Sequence, residues 1–499
     1  MTGRDSPQSR RVIQPVVWSK PGARLATGRP GSPLYKRGHR DFTDLPQPIP
    51  ISDIESSCSS ISPSQSPVCD DEGYFIVRPG QSLTERYTVI QKLGQGTFGT
   101  VLECYDKQRR YNVAIKVVRA IERYTEAAIY EKCFLRDLYA HKSYHFHTIT
   151  LLGWFVYEGH VCLSFEKGGP SLLSLIRTPS LKGRGLEKDC VKTIGFQIFR
   201  CLNFLHNDRR IIHTDLKPEN ILCAEEERKE VLFSDGTRHE LPKNLAIKII
   251  DFGSAVAEYD RRPSICCTRQ YRPPEVVFGL EWSFPVDIWA AGCILAELAS
   301  GKILFPAHSN WEHLQMFEAV LERKIPRRFL SEDSYNRDRN EQVLGYFNSR
   351  MNVRKITKDR DVSFITRYGS PRSSEYASKD IEKSTKLLNF IKSNQKLKDI
   401  CGDDVELYDL LKRCLEYHPE KRLTADEGYL HPWFKDIKKL EEEAKERKRQ
   451  RRTNQKAEKS KDKGKVSCRA NERVSNDDAN RGPIWAGMLK KELRESLID

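Results

Sequence analysis

The chain has 499 residues, of which 38% are hydrophobic, and it carries 84 Lys and Arg against 69 Asp and Glu. This length permits a large core with additional segments, and the composition excludes a collagen-like or wholly disordered chain. Its apolar runs fall short of the ~18 residues of a membrane-spanning helix, and its first residues lack the apolar segment of a secretory signal. The 14 cysteines show no paired CxxC spacing, so we expect reduced thiols in a cytosolic or nuclear protein.

The excess positive charge is concentrated near the two ends of the chain. Residues 1–40 carry nine Lys and Arg against one Asp, and residues 436–465 carry 13 Lys and Arg against seven Asp and Glu. Neither segment alternates aromatic with basic residues, so we expect no specific nucleic-acid binding. We predict that residues 1–85, rich in Pro, Ser and Arg, and residues 435–499, rich in charge, are disordered tails.

Ordered structure is predicted to begin near Arg86 with a set of short strands around a single helix. Short strand-like runs cover Tyr87–Ile90, Thr100–Cys104, Val113–Val118, Ile149–Phe155 and Val161–Phe165. Apolar residues at helical spacing predict the helix over Thr125–Tyr139. Residues 86–165 should therefore form a small β-rich lobe.

The next part of the chain, up to residue 434, is predicted to be mainly helical. Helical patterns cover Cys190–His206, the very apolar Pro285–Ser300, Asn310–Lys324 and Val405–Tyr417. Two polar stretches, 225–244 and 327–403, interrupt these helices, and the second exceeds ordinary loop lengths.

A glycine-rich run lies between the first two predicted strands and reads Gly94-x-Gly96-x-x-Gly99-x-Val101. Glycines allow backbone amides to approach a phosphate that a Cβ would obstruct, although they also mark plain hairpin turns. Because the run returns into a strand instead of entering a helix, it resembles the phosphate-covering hairpin of protein kinases and not a Rossmann site.

Lys116 lies on the third strand, within a Val-Ala-Ile-Lys run like that of kinases. It alternates with Ile115 and Val117, so its side chain should stand on the opposite face, where it can reach phosphate. Such a lysine needs an orienting acid. Glu131 on the following helix is the better candidate, and Glu126 competes, although its position near the start of that helix suits a capping role.

A second group of motifs lies in the helical part. The run His213-Thr214-Asp215 begins a match to H-R-D-L-x-x-x-N, with Thr in place of Arg. In this pattern Asp215 can take the proton of an attacking hydroxyl, Lys217 can neutralise charge on the phosphoryl group, and Asn220 offers an oxygen to Mg²⁺. Asp251, in an Asp-Phe-Gly run after an apolar strand, is the second expected Mg²⁺ ligand.

These motifs, followed by Pro273-Pro274-Glu275, occur in the order of a protein kinase domain. The resemblance covers about residues 86–434. It implies an α+β, two-lobed fold, with a β-rich N-lobe (86–165), a hinge (166–169) and a mainly helical C-lobe (170–434) between disordered tails. It also implies ATP as the cofactor with Mg²⁺. The residues that it places around ATP are Leu93, Gly94, Gly96, Gly99, Val101, Ala114, Lys116, Glu131, Phe165, Glu166, Gly168 and Leu222.

Two structural contacts follow from the same resemblance. Asp287 should hydrogen-bond to the backbone near His213, and Glu275 should pair with Arg422 in the C-lobe. Thr214 cannot form the ion pair by which an arginine clamps an activation-loop phosphate. We therefore expect the segment after Asp251 to be held by packing and not by a phosphate.

Finer features resemble the LAMMER (CLK) kinases of the CMGC group. They are the runs around His213, Asp251 and Thr268–Arg272, the 225–244 insertion where the family has an extra hairpin, and a divergent Glu312–Glu318 version of the family signature. The resemblance implies a dual-specificity kinase of Arg/Ser-rich splicing factors, located in the nucleus and monomeric. A Pro-directed or DYRK-like CMGC kinase, or a kinase-fold scaffold without activity, remains an alternative.

Overall fold

The computed structural model describes residues 69–140, 147–326, 329, 393–443, 446–447 and 449–450. The predictions for residues 1–68, for nearly all of 327–392 and for the chain after 450 lie outside these residues. The first lobe is built on one antiparallel sheet in the order β1-β2-β3-β5-β4. Its strands are β1 (Tyr87–Gly96), β2 (Gly99–Asp106), β3 (Tyr111–Val118), β4 (Leu151–Tyr157) and β5 (His160–Glu166).

Helix α1 (Glu122–Ala140) connects β3 to β4 and packs against the sheet. Strand alternation produces two faces: Ile115 and Val117 point into a small core, and Lys116 points to the other side. Cys104 and Leu102 of the neighbouring strand are completely buried in the same core. One face of the sheet therefore packs on this core, and the face that carries Lys116 is available to form the site.

The ordered part of this lobe begins earlier than the predicted Arg86. Residues 69–85, which we call the N-terminal strap, run along the sheet with bridges from Cys69 to Phe75 and from Ser82 to Thr88. Phe75 and Leu83 are 4% and 2% exposed, because both pack into the core of the β-lobe. The disorder prediction is wrong for this segment, since a few apolar residues without periodicity suffice to fix a strap on an existing core.

The second lobe is assembled around a helix that is buried on nearly all sides, as its composition predicted. This helix, α5 (Pro285–Ser300), ends at Gly301, whose left-handed φ of 68° closes the last turn. The other helices are α2 (Leu172–Ile176), α3 (Lys188–Asn203), α4 (Pro274–Val277), α6 (Asn310–Leu321), α7 (Leu397–Cys401), α8 (Val405–Cys414) and α9 (Ala425–Tyr429). A short π-helical turn, Phe204–Asp208, prolongs α3.

Three strand pairs lie in this lobe and carry the loops of the site. They are β6 (Ile211–Ile212) with β11 (Val256–Ala257), β7 (Ile221–Cys223) with β10 (Ile247–Ile249), and the hairpin of β8 (Arg228–Leu232) and β9 (Arg238–Pro242). The hairpin falls within the 225–244 insertion, where the sequence resemblance implied one. The predicted site residues Asp215, Asn220 and Asp251 lie in the segments next to β6, β7 and β10, whereas the hairpin contains none of them.

Both expected structural contacts are present. The Asp287 carboxylate accepts hydrogen bonds from the backbone N–H groups of His213 (2.8 Å) and Thr214 (2.9 Å). Arg422 forms a two-pronged ion pair with Glu275, at 2.7 and 2.9 Å, with both side chains buried. Removing one partner of such a pair leaves an unpaired buried charge, which typically costs ~3–5 kcal/mol.

The C-terminal boundary also differs from the predicted start of the tail at residue 435. Residues 435–443 are helical, Ile437 is 6% exposed and Glu441 is 5% exposed. The Glu441 carboxylate lies 2.7 Å from Arg200 of α3. This helix belongs to the folded body, because Ile437 and Glu441 are buried in it, while Asp436, Glu442 and Glu443 are exposed. No helix among the described residues is long and apolar enough to cross a membrane.

Candidate active site

The glycine-rich hairpin forms the roof of the site, at the turn between β1 and β2. A Cβ built on Gly94 or Gly96 would meet no atom within 4 Å, so the backbone there borders open space. A Cβ on Gly99 would instead lie 2.2 Å from the carbonyl oxygen of Val117. Gly99 is thus required by the close approach of β3, whereas Gly94 and Gly96 leave room for a bound group.

A charged cluster below this roof joins three distant parts of the chain. The Lys116 Nζ lies 2.9 Å from Glu131 Oε2 on α1 and 2.7 Å from Asp251 Oδ1. Glu131 is 1% exposed, whereas Glu126 is exposed on the same helix. The structure therefore assigns the contact with Lys116 to Glu131, the better of the two sequence candidates.

Burial and mutual charge shift the pKa values in this cluster in opposite directions. Burial alone would lower the pKa of Lys116, but the Asp251 and Glu131 carboxylates outweigh it and raise that pKa. Burial raises the pKa of Glu131, and the Asp251 charge adds to this. The pKa of Asp251 is lowered, because the Lys116 charge and hydrogen bond exceed the effect of burial. The cluster thus keeps a permanent cation beside an ionised aspartate.

The second cluster is centred on Asp215, in the loop after β6. Lys217 Nζ donates to Asp215 Oδ2 (2.7 Å) and to Thr268 Oγ1 (3.0 Å), and Thr268 in turn donates to Asp215 Oδ1 (2.7 Å). Asn220 Nδ2 donates to the backbone oxygen of Asp215 (2.9 Å). The side-chain oxygen of Asn220 therefore points away from the Asp215 backbone oxygen.

Sequence reasoning did not single out Thr268 as a site residue. The run Thr268–Arg272 was visible as part of the resemblance, but the contact of its first hydroxyl with Asp215 spans 53 positions. Only the path of the intervening loop brings the two residues together. Thr268 holds Oδ1 of the Asp215 carboxylate, whereas Lys217 and Asn220 donate to Oδ2.

Three non-glycine residues near these clusters have left-handed backbone, namely Thr214 (φ 67°), Asp251 (φ 65°) and Cys267 (φ 62°). Such backbone is uncommon for these residue types and persists only where the surroundings hold it. Hydrogen bonds supply that support: Cys267 N–H donates to the Thr214 carbonyl oxygen at 3.0 Å, and the Thr214 hydroxyl donates to the Ser254 carbonyl oxygen at 2.7 Å.

The apolar part of the site lies between the first lobe and the hinge, residues 166–169. Phe165, at the end of β5, is 8% exposed and pairs in register with Ala114 of β3. A Cβ on Gly168 would lie 2.8 Å from Leu222, so the hinge backbone and β7 are in close contact. Among the other predicted residues, Glu166 contacts Lys248 at 2.9 Å, Val101 is half-buried on β2 opposite Gly94, and Leu93 is 46% exposed on β1.

The activation segment, defined here as residues 251–275, is attached to the C-lobe at several points. Strand β11 pairs with β6, and the Arg210 guanidinium forms an ion pair with Glu258. This interaction lowers the pKa of Glu258, mainly through the hydrogen bond from Arg210. Arg272 donates to the backbone oxygens of Cys266 (3.0 Å) and Cys267 (2.8 Å). In place of an ion pair with phosphate, Thr214 contributes its hydroxyl bond to Ser254.

Comparisons with known proteins agree with this geometry. The protein kinase domain family model matches residues 87–434. A crystal structure of a kinase domain aligns with a TM-score of 0.61 at 30% identity, covering 73% of this chain and 100% of that chain. Fold and family model together define a protein kinase, which acts on protein substrates.

Similar curated proteins show which family of protein kinases the chain belongs to. "Serine/threonine-protein kinase AFC2" of Arabidopsis thaliana is 36% identical, covering 73% of this chain and 80% of that protein. "Dual specificity protein kinase CLK1" of Homo sapiens is 33% identical, covering 74% and 70%. "Dual specificity protein kinase lkh1" of Schizosaccharomyces pombe is 33% identical, covering 73% and 49%. The chain belongs to the LAMMER (CLK) family of dual-specificity protein kinases.

Proposed function

We propose that this kinase transfers the γ-phosphoryl group of ATP, with Mg²⁺, through the two clusters described above. The observation that carries the proposal is the pair of clusters, one of Lys116, Glu131 and Asp251 and one of Asp215, Lys217 and Asn220. The two are close enough for the Lys217 charge to help lower the pKa of Asp251, after the larger effect of Lys116. Phosphoryl transfer requires positioning and charge stabilisation more than covalent chemistry. A fixed cation, an ionised aspartate and a held proton acceptor meet these requirements.

The donor set of the site suits ATP with Mg²⁺. Gly94 and Gly96 border open space, and Asp251 and Asn220 offer oxygen ligands. Mg²⁺ is usually held by one or two carboxylates together with substrate phosphates and not by an all-protein cage. When bound, the metal neutralises charge on the phosphates during transfer.

The chain's own residues then have distinct roles in this proposal. Lys116 pairs with the phosphates and is kept in place by Glu131. Asp215 accepts or orients the proton of the substrate hydroxyl, and Lys217 offsets negative charge beside it. Leu93, Val101, Ala114 and Leu222 enclose the adenine ring, Phe165 closes the back of the pocket, and Glu166 and Gly168 present backbone groups to it.

We further propose Arg/Ser-rich splicing factors as substrates, acted on in the nucleus by a monomeric enzyme. Membership of the family supports this substrate class. Exposed carboxylates near the activation segment, at Glu219, Asp260 and Glu281, offer partners for cationic peptides, while the basic ends of the chain would repel them. Size-exclusion chromatography coupled to light scattering tests the monomer, and import of a tagged protein tests the location.

The geometry of Cys267 favours a Pro-directed component of specificity. Its backbone is left-handed, and its carbonyl oxygen accepts hydrogen bonds from Arg272 Nε (3.2 Å) and Nη2 (2.8 Å). Cys267 lines the cavity beside Asp215, so we propose that the substrate residue after the phosphorylated one lies there and finds this acceptor already used. An ordinary residue there would leave a buried donor unpaired, which costs ~1–3 kcal/mol. Proline has no such donor and should be preferred at that position.

A peptide panel tests both proposals in one experiment. It compares an Arg-Ser repeat, Arg-x-x-Ser-Pro, Arg-x-x-Ser-Ala and a Ser-Pro peptide without arginine. We expect the arginine-containing peptides to be phosphorylated best and Pro to exceed Ala about tenfold in kcat/KM, equivalent to ~1.4 kcal/mol. An equal rate on Ser-Pro without arginine would identify a simple Pro-directed kinase, and equal rates on the Pro and Ala peptides would refute the role of Cys267.

A further inference from the structure

The activation segment contains two adjacent cysteines whose sulfur atoms are in contact. The Cys267 thiol donates to Sγ of Cys266 across 3.6 Å. Both residues line an open cavity of about 340 Å³ together with Asp215, Thr268 and Ile265, which is 51% exposed. A small reagent from solvent can therefore reach this dithiol beside the predicted proton acceptor.

We propose that Cys266 and Cys267 form a reversible oxidation site, in which a disulfide between the two neighbours inactivates the kinase. The inference rests on the kinase activity of the family and not on the proposed substrates. Every cysteine in the described part of the chain is a free thiol, and the other described cysteines are separated in sequence. Disulfides of proteins in reducing compartments are usually transient and redox-sensing.

Ring closure must disturb the peptide that joins the two residues. The sulfurs would approach from 3.6 Å to ~2.05 Å, and the eight-membered ring includes the Cys266–Cys267 peptide unit. This same unit holds two hydrogen bonds of the site: Arg272 Nε donates to the Cys266 oxygen (3.0 Å), and the Cys267 N–H donates to the Thr214 oxygen (3.0 Å). Twisting the peptide breaks both bonds.

The disturbance would reach Asp215 through the next residue. Thr268 follows Cys267 directly, and its backbone N–H (3.2 Å) and hydroxyl (2.7 Å) both donate to Asp215 Oδ1. Displacing Thr268 removes one of the groups that orient the Asp215 carboxylate and also changes the wall of the cavity. Oxidation should therefore reduce phosphoryl transfer, whatever the peptide substrate.

The chemistry requires an oxidant of the peroxide class. One thiolate attacks hydrogen peroxide, so that an S–O bond forms as the O–O bond breaks, giving a sulfenic acid and, with one proton, water. The second thiol attacks that sulfur, the S–S bond forms, and the S–O bond breaks to release a second water. Two thiols thus lose two protons and two electrons. Two equivalents of a small thiol, or one dithiol, reduce the disulfide by two exchange steps and are themselves oxidised to a disulfide.

The geometry predicts a labile bond that forms slowly. Cα atoms of adjacent residues are ~3.8 Å apart across a trans peptide, closer than the ~4.4–6.8 Å of ordinary disulfides, and such strain makes the bond easier to reduce. The pKa of Cys267 is raised, first by its hydrogen bond to Cys266 and then by burial. Its thiolate is therefore scarce, and peroxide must act longer than on an activated cysteine.

The test treats the full-length kinase with hydrogen peroxide, removes the peroxide with catalase, and divides the sample. One part is assayed for kinase activity before and after dithiothreitol. In the other part, thiols are alkylated and the peptide containing both cysteines is examined by mass spectrometry, which needs no activity. We expect a fall in kcat/KM of at least about tenfold, restored by dithiothreitol, with loss of two hydrogens from that peptide.

Single variants distinguish a disulfide from oxidation of one sulfur. After peroxide treatment, Cys266→Val and Cys267→Ser should each keep most of the rate that the same variant shows when reduced. Cys133→Ser, which removes another half-buried thiol, should remain as sensitive as the unmodified chain. Three outcomes would overturn the proposal. They are inactivation of either single variant to the same extent as the unmodified chain, a loss of activity that dithiothreitol does not reverse, and alkylation of both cysteines in the inactivated enzyme. The peptide masses keep the test valid even if Cys266→Val does not fold.

Discussion

The Lys116 ammonium is buried between two carboxylates, and its removal is the most direct test of the site. We expect Lys116→Met and Asp251→Asn each to lower kcat by more than about a hundredfold, equivalent to ~2.7 kcal/mol, while the fold survives. In Lys116→Met the buried Glu131 can take up a proton, which its raised pKa already favours. Steady-state kinetics and thermal melting measure the two effects.

Lys132→Met provides the matched control for this prediction. Lys132 lies on the same helix as Glu131, but its ammonium lies 3.9 Å from the ring centre of Trp154 and not in the charged cluster. Its activity should remain close to that of the unmodified chain. Retained turnover in Lys116→Met, or an equal loss in Lys132→Met, would contradict the assignment.

A second residue, Glu297 of α5, should make stability depend on pH. Burial raises the pKa of its carboxyl from 4.5 to about 7, while the Tyr271 hydroxyl donates to it at 2.6 Å. The folded state therefore binds this proton more tightly than the unfolded chain does. The free energy of unfolding should fall as pH rises from about 4.5 to about 7, by up to ~3 kcal/mol from this group.

Glu297→Gln isolates this contribution, because the amide still accepts the Tyr271 hydrogen bond but does not titrate. Urea unfolding at several pH values should show that the variant gains stability relative to the unmodified chain as pH rises through this window. An unchanged difference between the two proteins across the window would show that the carboxyl is ionised throughout.

At the scale of elements, the N-terminal strap has a direct connection to the roof of the site. The Tyr74 hydroxyl donates to the Gly96 carbonyl oxygen at 3.1 Å, and the Arg119 guanidinium lies 4.3 Å from the centre of the Tyr74 ring. We expect Tyr74→Phe to raise the KM for ATP about fivefold with little change in kcat, as loss of one hydrogen bond of ~1 kcal/mol predicts.

Tyr105→Phe is the matched control for the strap, since Tyr105 is 39% exposed on β2 and lies away from the Gly96 carbonyl. ATP titrations at saturating peptide give both parameters. If Tyr74→Phe leaves the KM for ATP unchanged, the strap supports the β-lobe without influencing the hairpin.

The kinase should be active without phosphorylation of its activation segment. Thr214 occupies the place of the phosphate-binding arginine, and the β6–β11 pair, the Thr214 bond to Ser254 and the Arg210–Glu258 ion pair fix the segment instead. Enzyme treated with a phosphatase and then separated from it should keep most of its activity on a peptide. A loss above about tenfold, or ~1.4 kcal/mol of barrier, would show a phosphate switch.

At the scale of the whole molecule, the helix of residues 435–443 belongs to the folded body and is followed in the sequence by a basic segment. The run Lys445–Arg452 holds six Lys and Arg, which suits a nuclear import signal. A chain ending at Glu443 should keep its melting temperature and shift toward the cytoplasm. A chain ending at Lys435 should shift as well but also lose stability, since burial of Ile437 alone contributes ~1.5–3 kcal/mol.

Fluorescence microscopy and thermal melting of the two truncated chains test this separation. Nuclear retention of the chain ending at Glu443 would place the import signal elsewhere, for instance in the arginine-rich first forty residues. Equal melting temperatures for the two chains would show that residues 436–443 contribute nothing to the body.

The sequence by itself determined the kinase family and most of the elements. Motif order identified the family, because the roles proposed for Lys116, Asp215 and Asp251 toward phosphate, proton and metal limit the residue types at those positions. The sequence pattern predicted most strands and the longer helices to within about three residues, although β1 extends six residues beyond the predicted Ile90. Pro285–Ser300 was predicted to the residue, because burial on every side leaves a strongly apolar composition.

The tertiary structure alone decided the contacts between distant segments. Four features depend on where loops and helices come together. They are the contact of Lys116 with Glu131 and not Glu126, the contact of Thr268 with Asp215, the ordered structure of residues 69–85, and the contact of the two cysteines. Their energies arise from packing and hydrogen bonds between residues far apart in the chain, which leave no periodic signal. The left-handed backbone at Thr214 and Cys267 has the same origin, since the bonds to Ser254 and between the two residues hold it in place.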